Sequence, residues 1–170
     1  NQEAQSYTSN AENVIVENGS LKITAIKDGN DYTSARIKTQ GRYSFTYGRV
    51  EVRAKLPAAQ GTWPAIWMLG SNHPTAGWPY SGEIDIMEQR GNDKSYVEGT
   101  CHWYNTAGGN NASYGETASI DTPSSEFHLY TVEWSESAVK IYLDDVKYYE
   151  LPNSGDLPFN ANFYLILNIA

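Results

Sequence analysis

Apolar and polar residues alternate along most of this chain in short runs, the mark of β-strands with one face buried. Arg49-Val50-Glu51-Val52-Arg53-Ala54-Lys55-Leu56 alternates almost without fault, setting Val50, Val52, Ala54 and Leu56 on one face. Val14-Ile15-Val16 and the run Leu21 to Ile26 flank Glu17-Asn18-Gly19, a two-residue hairpin signal. Asp28-Gly29-Asn30 turns the chain again, and Thr33 to Thr39 and Tyr43 to Tyr47 read as further strands. Thr62 to Leu69 puts Trp63, Ala65 and Trp67 on one face and Pro64, Ile66 and Met68 on the other. Gly70 to Tyr80 is a turn-rich loop carrying Trp78, and Tyr96 to Trp103 is the next strand. Residues 105–119, rich in Asn, Thr, Gly, Ala and Ser, read as a long loop. Phe127 to Trp134, Ala138 to Leu143 and Val146 to Tyr149 form a meander, with Asp144-Asp145 as a tight turn. Phe163 to Ile169 is almost continuously apolar, as suits a strand in the middle of a sandwich. No stretch of eleven or more residues carries helical periodicity. The expectation is an all-β, antiparallel β-sandwich of the jelly-roll kind.

Composition adds function classes to exclude. A length of 170 residues fits one domain with a sizeable core. The 13 Tyr and 5 Trp suit strands, and they equally suit sugar binding, because each ring joins an apolar face to a polar handle. A net charge of −8 argues against nucleic acid or an anionic membrane as partner. Cys101 is the sole cysteine, which excludes an internal disulfide and a cysteine-rich metal site and reads as a small core residue. No apolar run reaches the roughly 18–20 residues that span a bilayer, so membrane insertion is not expected.

The chemistry concentrates in Ser81-Gly82-Glu83-Ile84-Asp85-Ile86-Met87-Glu88-Gln89. On a strand, Glu83 and Asp85 face one way and Ile84 and Ile86 the other. Glu88 lies five positions after Glu83, an odd offset that sends it to the buried face. A β-bulge at Ile86-Met87 repairs this and brings Glu88 back beside the other two acids. Three carboxyl groups on one strip repel, and crowding raises at least one pKa. Retaining glycosidases need such a pair, one carboxylate as nucleophile and one carboxylic acid as proton donor, about 5–5.5 Å apart. The competing reading is a solvated strand face with salt-bridged acids.

On these residues the chain resembles glycoside hydrolase family 16, and within it the bacterial endo-β-1,3-glucanases, or laminarinases. The carrying blocks are Gly82 to Glu88, which matches the family's bulged E-x-D-x-x-E signature, Tyr47 to Pro57, and Gly61 to Gly70. Weaker agreement runs through Tyr32 to Arg36, Val132 to Trp134 and Leu165 to Ala170. The resemblance implies a concanavalin A-like jelly roll with a cleft on its concave sheet, and hydrolysis of internal β-1,3 bonds of laminarin-like glucans by double displacement. It implies Glu83 as nucleophile, Glu88 as general acid/base, and Asp85 as a hydrogen-bond partner that helps set the charge of Glu83. Alternatives with the same chemistry act on mixed-linkage glucan or a marine galactan; a non-catalytic carbohydrate-binding jelly roll is the rival from another class.

Trp63, Trp67 and Trp78 are the candidate sugar platforms; for Trp63 and Trp67 the competing role is sheet-face packing. His102 is set either to bond the acids or a sugar hydroxyl, or to serve as a structural residue. Arg49, Glu51 and Arg53 share a face that is either cleft floor or an exposed ion-pair row, with Arg53 the better cleft candidate. Trp134 reads as core. The chemistry calls for no cofactor and no catalytic metal. The family often carries a structural calcium near the termini, whose ligands the sequence does not identify. A polysaccharide substrate, a monomeric state unless the missing terminal segments come from a second chain, and a secreted, extracellular or periplasmic location complete the expectation. Sandwiches of this type run to roughly 200–250 residues, so 1–170 is expected to be one catalytic domain lacking the N- and C-terminal family segments, with open sheet edges.

Overall fold

The computed structural model describes residues 3–170. The chain runs through β1 (Gln5–Tyr7), β2 (Val14–Glu17), β3 (Ser20–Ile23), β4 (Ile26–Asp28), β5 (Asp31–Ser34), β6 (Arg36–Lys38), β7 (Gly48–Ala54) and β8 (Pro64–Gly70). A one-turn helix, α1 (His73–Ala76), leads to β9 (Glu83–Arg90), β10 (Asp93–Asn105) and β11 (Asn110–Ser119). Then come β12 (His128–Trp134), β13 (Ala138–Leu143), β14 (Val146–Pro152) and β15 (Phe163–Ile169). Two sheets dominate. One has the order β11-β10-β9-β8-β15-β6, the other β14-β13-β12-β7. Neighbours within both are antiparallel.

The sheets meet through the apolar side of each alternating pattern. Met68, Ile84, Val97 and Cys101 from the first pack with Val132, Trp134, Val139, Ile141 and Tyr149 from the second, all at most 2% exposed. The Trp134 indole N–H, deep in this layer, donates to the Phe159 carbonyl at 2.9 Å, so its one polar atom is satisfied. The six-stranded sheet is also covered on its other side around β8 and β15. There Leu69, Tyr164 and Ile166 form a second small cluster against Trp67, which explains why Phe163 to Ile169 lacks alternation. The hairpin turns follow the sequence: Asn18-Gly19 (φ 50° and 74°) and Asp144-Asp145 (φ 48° and 66°) both take the left-handed conformation of a type I′ turn.

Three parts of the expected pattern differ. Residues 105–119 are mostly strand: β11 pairs with β10 from Tyr96↔Ser119 to Asn105↔Asn110, leaving a turn at 106–109. As the sheet's outermost strand it is held by backbone bonds on one side and keeps most side chains in water, so it needs no apolar alternation. Thr33 to Thr39 breaks at the buried Ala35 into β5 and β6, which join different sheets. Tyr43 to Tyr47 makes only a single bridge, Phe45 to Phe163, before Tyr47 turns with φ 64°.

Ile84 sits on the core side of β9 between two acids and is fully buried. Replacing Ile84 with Ala is expected to cost about 2–5 kcal/mol of stability. Denaturant unfolding checks this through a lower midpoint at unchanged slope.

Candidate active site

Strand β9 lies in the middle of the six-stranded sheet, and its pairing shows how three acids reach one face. Glu83 lies opposite Leu69 of β8 and His102 of β10; Asp85 lies opposite Trp67 and Thr100; Glu88 lies opposite Ala65 and Glu98. From Asp85 to Glu88 β9 advances three residues while each neighbour advances two. The surplus residue is a bulge at Ile86-Met87. Both of those side chains enter the core, at 0% and 1% exposure, and Glu88 emerges beside Glu83 and Asp85. Entry to the strand is fixed by Gly82, whose φ is 74°; a Cβ there would meet Pro158 Cγ at 2.8 Å and Phe163 Cζ at 2.9 Å. Only glycine brings the chain onto β9 at that point.

The acids line a cleft with Trp63, Trp67, Arg36 and Asn168. Burial raises Glu83 to about 8, with Asp85 and Glu88 adding to the rise and His102 and the Trp78 indole opposing it. Burial, then Glu88 and Glu98, hold Asp85 well above the usual carboxylate range. Glu88 is raised by burial, against the Trp63 indole N–H and Arg90, which favour its charged form. Like charges this close cannot all ionise, so the strip retains protons near neutral pH and titrates as a unit. Asp85 is 3% exposed, and its Oδ2 has no hydrogen-bond partner; His102 Nε2 stands 3.2 Å away. The Trp63 indole N–H donates to Glu88 Oε1 at 2.7 Å, and that of Trp67 to Asn168 Oδ1 at 2.8 Å.

Trp63, Trp67 and His102 thus fall where the sequence puts them, against the acids. Trp78 is 48% exposed, too open for core, with its ring centroid 6.1 Å from that of His102. Trp134 is core. Arg53 is a correction: β7 belongs to the opposite sheet, and Arg53 lies in solvent with its guanidinium 4.4 Å from the centre of the Phe127 ring. Its face is the exposed ion-pair row, in which Arg49 bonds Glu51 and Glu133. Alternation told which residues share a face but not which sheet the strand joins.

Four residues at the site went unassigned from the sequence. Glu98 faces Glu88 across the strands and shares the parity of His102, a signal that was there to read. Arg36 reaches the cleft from β6, its Nη2 3.0 Å from Glu3 and its guanidinium 5.6 Å from the Trp67 ring centre. Tyr80 and Tyr104 stack at 4.2 Å between centroids at the His102 end of the strip, Tyr104 by the same parity. Among the described residues, Glu83, Asp85 and His102 are the group that gathers three potential metal ligands. One imidazole and two carboxylates do not supply the 6–8 oxygens that calcium takes, so this set does not fit the structural calcium the resemblance implies.

The chain is similar to several known proteins. The family model described as "Glycosyl hydrolases family 16" matches residues 1–166. A protein named "Beta-glucanase" from Rhodothermus marinus is 42% identical across 100% of this chain and 65% of its own length. "Glucan endo-1,3-beta-glucosidase A1" from Niallia circulans is 37% identical across 100% of this chain and 28% of its own. A crystal structure of a LamA variant from Z. galactanivorans, in complex with laminaritriose and laminaritetraose, superposes with a TM-score of 0.91 at 44% identity, covering 100% of this chain and 75% of that one. The chain therefore spans about two thirds of one named relative and about a quarter of the other. The antiparallel jelly-roll sandwich expected from the sequence is the fold observed.

The raised acids make stability depend on pH in a definite sense. Between 4.5 and about 8 the folded protein holds a proton on the Glu83–Asp85 pair that the unfolded chain releases. Stability is therefore full below that window and falls as pH rises through it. Melting temperature followed across the window is expected to decline for the wild type and to decline less for Glu83→Gln, which removes one of the two acids that share the proton.

Proposed function

We propose that this chain, which belongs to glycosyl hydrolase family 16, carries the catalytic centre of a retaining endo-β-1,3-glucanase acting on laminarin-like glucans. One observation carries the reading: a bulge that sets Glu83, Asp85 and Glu88 on one face of β9 inside a tryptophan-lined cleft. The printed names of the relatives and the laminari-oligosaccharides of the solved complex support the glucan.

The chemistry follows from what each acid meets. Glu83 attacks the anomeric carbon while Glu88 gives its proton to the departing glycosidic oxygen, and a glycosyl-enzyme ester forms. Water then attacks the same carbon, losing its proton to Glu88, and the sugar leaves with its configuration retained. Glu83 must be charged to attack, although burial and its neighbours raise its pKa. Asp85 resolves this by taking the proton of the pair. It is the deeper of the two, whereas Glu83 has the Trp78 indole and His102 favouring its charge. A protonated Asp85 also donates a hydrogen bond, which keeps Glu83 oriented. Burial suits Glu88 in the opposite way, since the general acid must hold its proton until the bond breaks.

Trp67, half-buried and pinned through its N–H to Asn168, offers an apolar platform to a pyranose beside the acids. Trp78, exposed near His102, offers a second. A polymer of glucose does not cross membranes, so the reading places the enzyme outside the cytoplasm. No described helix is long and apolar enough to span a bilayer.

The test is release of reducing ends from laminarin, with mixed-linkage glucan and a sulfated galactan alongside. Laminarin is expected to be cleaved internally, with Glu83→Gln inactive. Glu88→Gln is expected to lose about 10²–10⁴-fold in kcat on laminarin, and far less on an aryl glycoside whose leaving group needs no proton. Wild-type protein that is folded yet cleaves none of the three polysaccharides overturns the reading, and preference for another of them moves the substrate class.

A further inference from the structure

We propose that Arg90 is a positioning residue for the general acid/base, holding and polarising the Trp63 indole that hydrogen-bonds Glu88. This rests on the reading of Glu88 given above. Arg90 ends β9, two residues beyond Glu88, and so projects from the same face. Its guanidinium carbon lies 3.5 Å from the centre of the Trp63 ring, well inside the about 6 Å at which a cation engages an aromatic face. The edge of that same ring donates its N–H to Glu88 Oε1 at 2.7 Å. The backbone of Trp63 is pinned in turn by reciprocal bonds with Ala170, at 2.7 and 2.9 Å.

The three groups form a short relay. A cation over an indole draws electron density toward its face and leaves the N–H a stronger donor. It also locks the ring plane, so the donor stays aimed at one carboxylate oxygen. The benefit falls on the carboxylate, the form Glu88 takes when its proton passes to the leaving group. Arg90 thereby stabilises charge that develops only as the bond breaks, the kind of interaction that raises kcat rather than tightening substrate binding. One face of Trp63 is occupied by this stacking, which leaves exposed Trp78 as the freer platform.

The charges facing Glu88 set the sign of the effect. From β9 come Asp85, Glu83 and Arg90 itself; from β10 come Glu98 and His102; Glu3 and Arg36 form an ion pair across the cleft. Strand β8 presents no charged side chain. Asp85, Glu83 and Glu98 favour a protonated Glu88, against which Arg90 and the indole N–H act. Removing Arg90 must therefore let Glu88 keep its proton to higher pH.

The experiment compares wild type, Arg90→Leu and Arg90→Lys on laminarin across pH, with a ¹³C NMR titration of the Glu88 carboxyl in the intact chain. Arg90 is exposed, so both variants are expected to fold. In Arg90→Leu the alkaline limb of kcat/KM and the Glu88 titration are expected to move up together by about half a pH unit. In the same variant kcat falls about threefold with KM little changed. That loss disappears on an aryl glycoside with an acidic phenol leaving group. Arg90→Lys, which keeps the charge, recovers much of both. An unshifted limb and an unshifted titration in Arg90→Leu overturn the proposal. A wild type without glucanase activity overturns the enzymatic reading instead, and the NMR titration still decides whether Arg90 acts on Glu88.

Discussion

Carboxyl groups crowded onto one strip of sheet oppose folding, and this molecule is arranged around holding three of them there. Their mutual repulsion and burial work against the charged state, so the site keeps protons that an open chain would lose. The counterweight lies directly behind them. Ile84, Ile86 and Met87 occupy the core side of the same strand, each no more than 1% exposed, and lock β9 between two neighbours. Chemistry and packing are two sides of one backbone.

The division of labour among the acids follows from small differences in what each one touches. Asp85 is sealed in, with an unsatisfied oxygen and no strong cation against it. Glu88 meets an indole N–H at its edge, and Glu83 lies nearest the open aromatic end marked by Trp78 and His102. Three groups of similar chemical character are thereby pushed to different proton affinities without a metal in any step of the proposed reaction.

Much of this was legible in the residues. The failure of parity between Glu83 and Glu88 announced the bulge, because a pleated strand allows no other way to align them. The hairpin turns, the continuous apolar run of β15 and the core placement of Trp134 were equally open to reading. What alternation does not carry is the identity of the neighbour. Arg53 has a well-defined face, yet β7 joins the far sheet, and pairing partners dozens of residues distant decide that. β11 leaves no apolar pattern for a related reason: an outermost strand draws its stability from one ladder of backbone bonds and asks nothing of its side chains. The stacking of Arg90 on Trp63 is a contact between residues 27 positions apart that no local pattern encodes.

The bulge carries an implication for how such a protein changes over generations. Deleting the surplus residue between Asp85 and Glu88 leaves the three acids at alternate positions of a regular strand, on one face, whereas inserting one more exchanges a core side chain for a catalytic one. The same strand offers no neutral position, since each residue from Glu83 to Gln89 is either packed or facing the cleft. Variation that alters which polysaccharide is accepted is therefore channelled away from β9. It falls instead on the exposed positions of the 70–81 connection other than Trp78, whose indole bears on Glu83, and on the polar margin of β11. The strand that performs the reaction is the part of the molecule least able to be retuned.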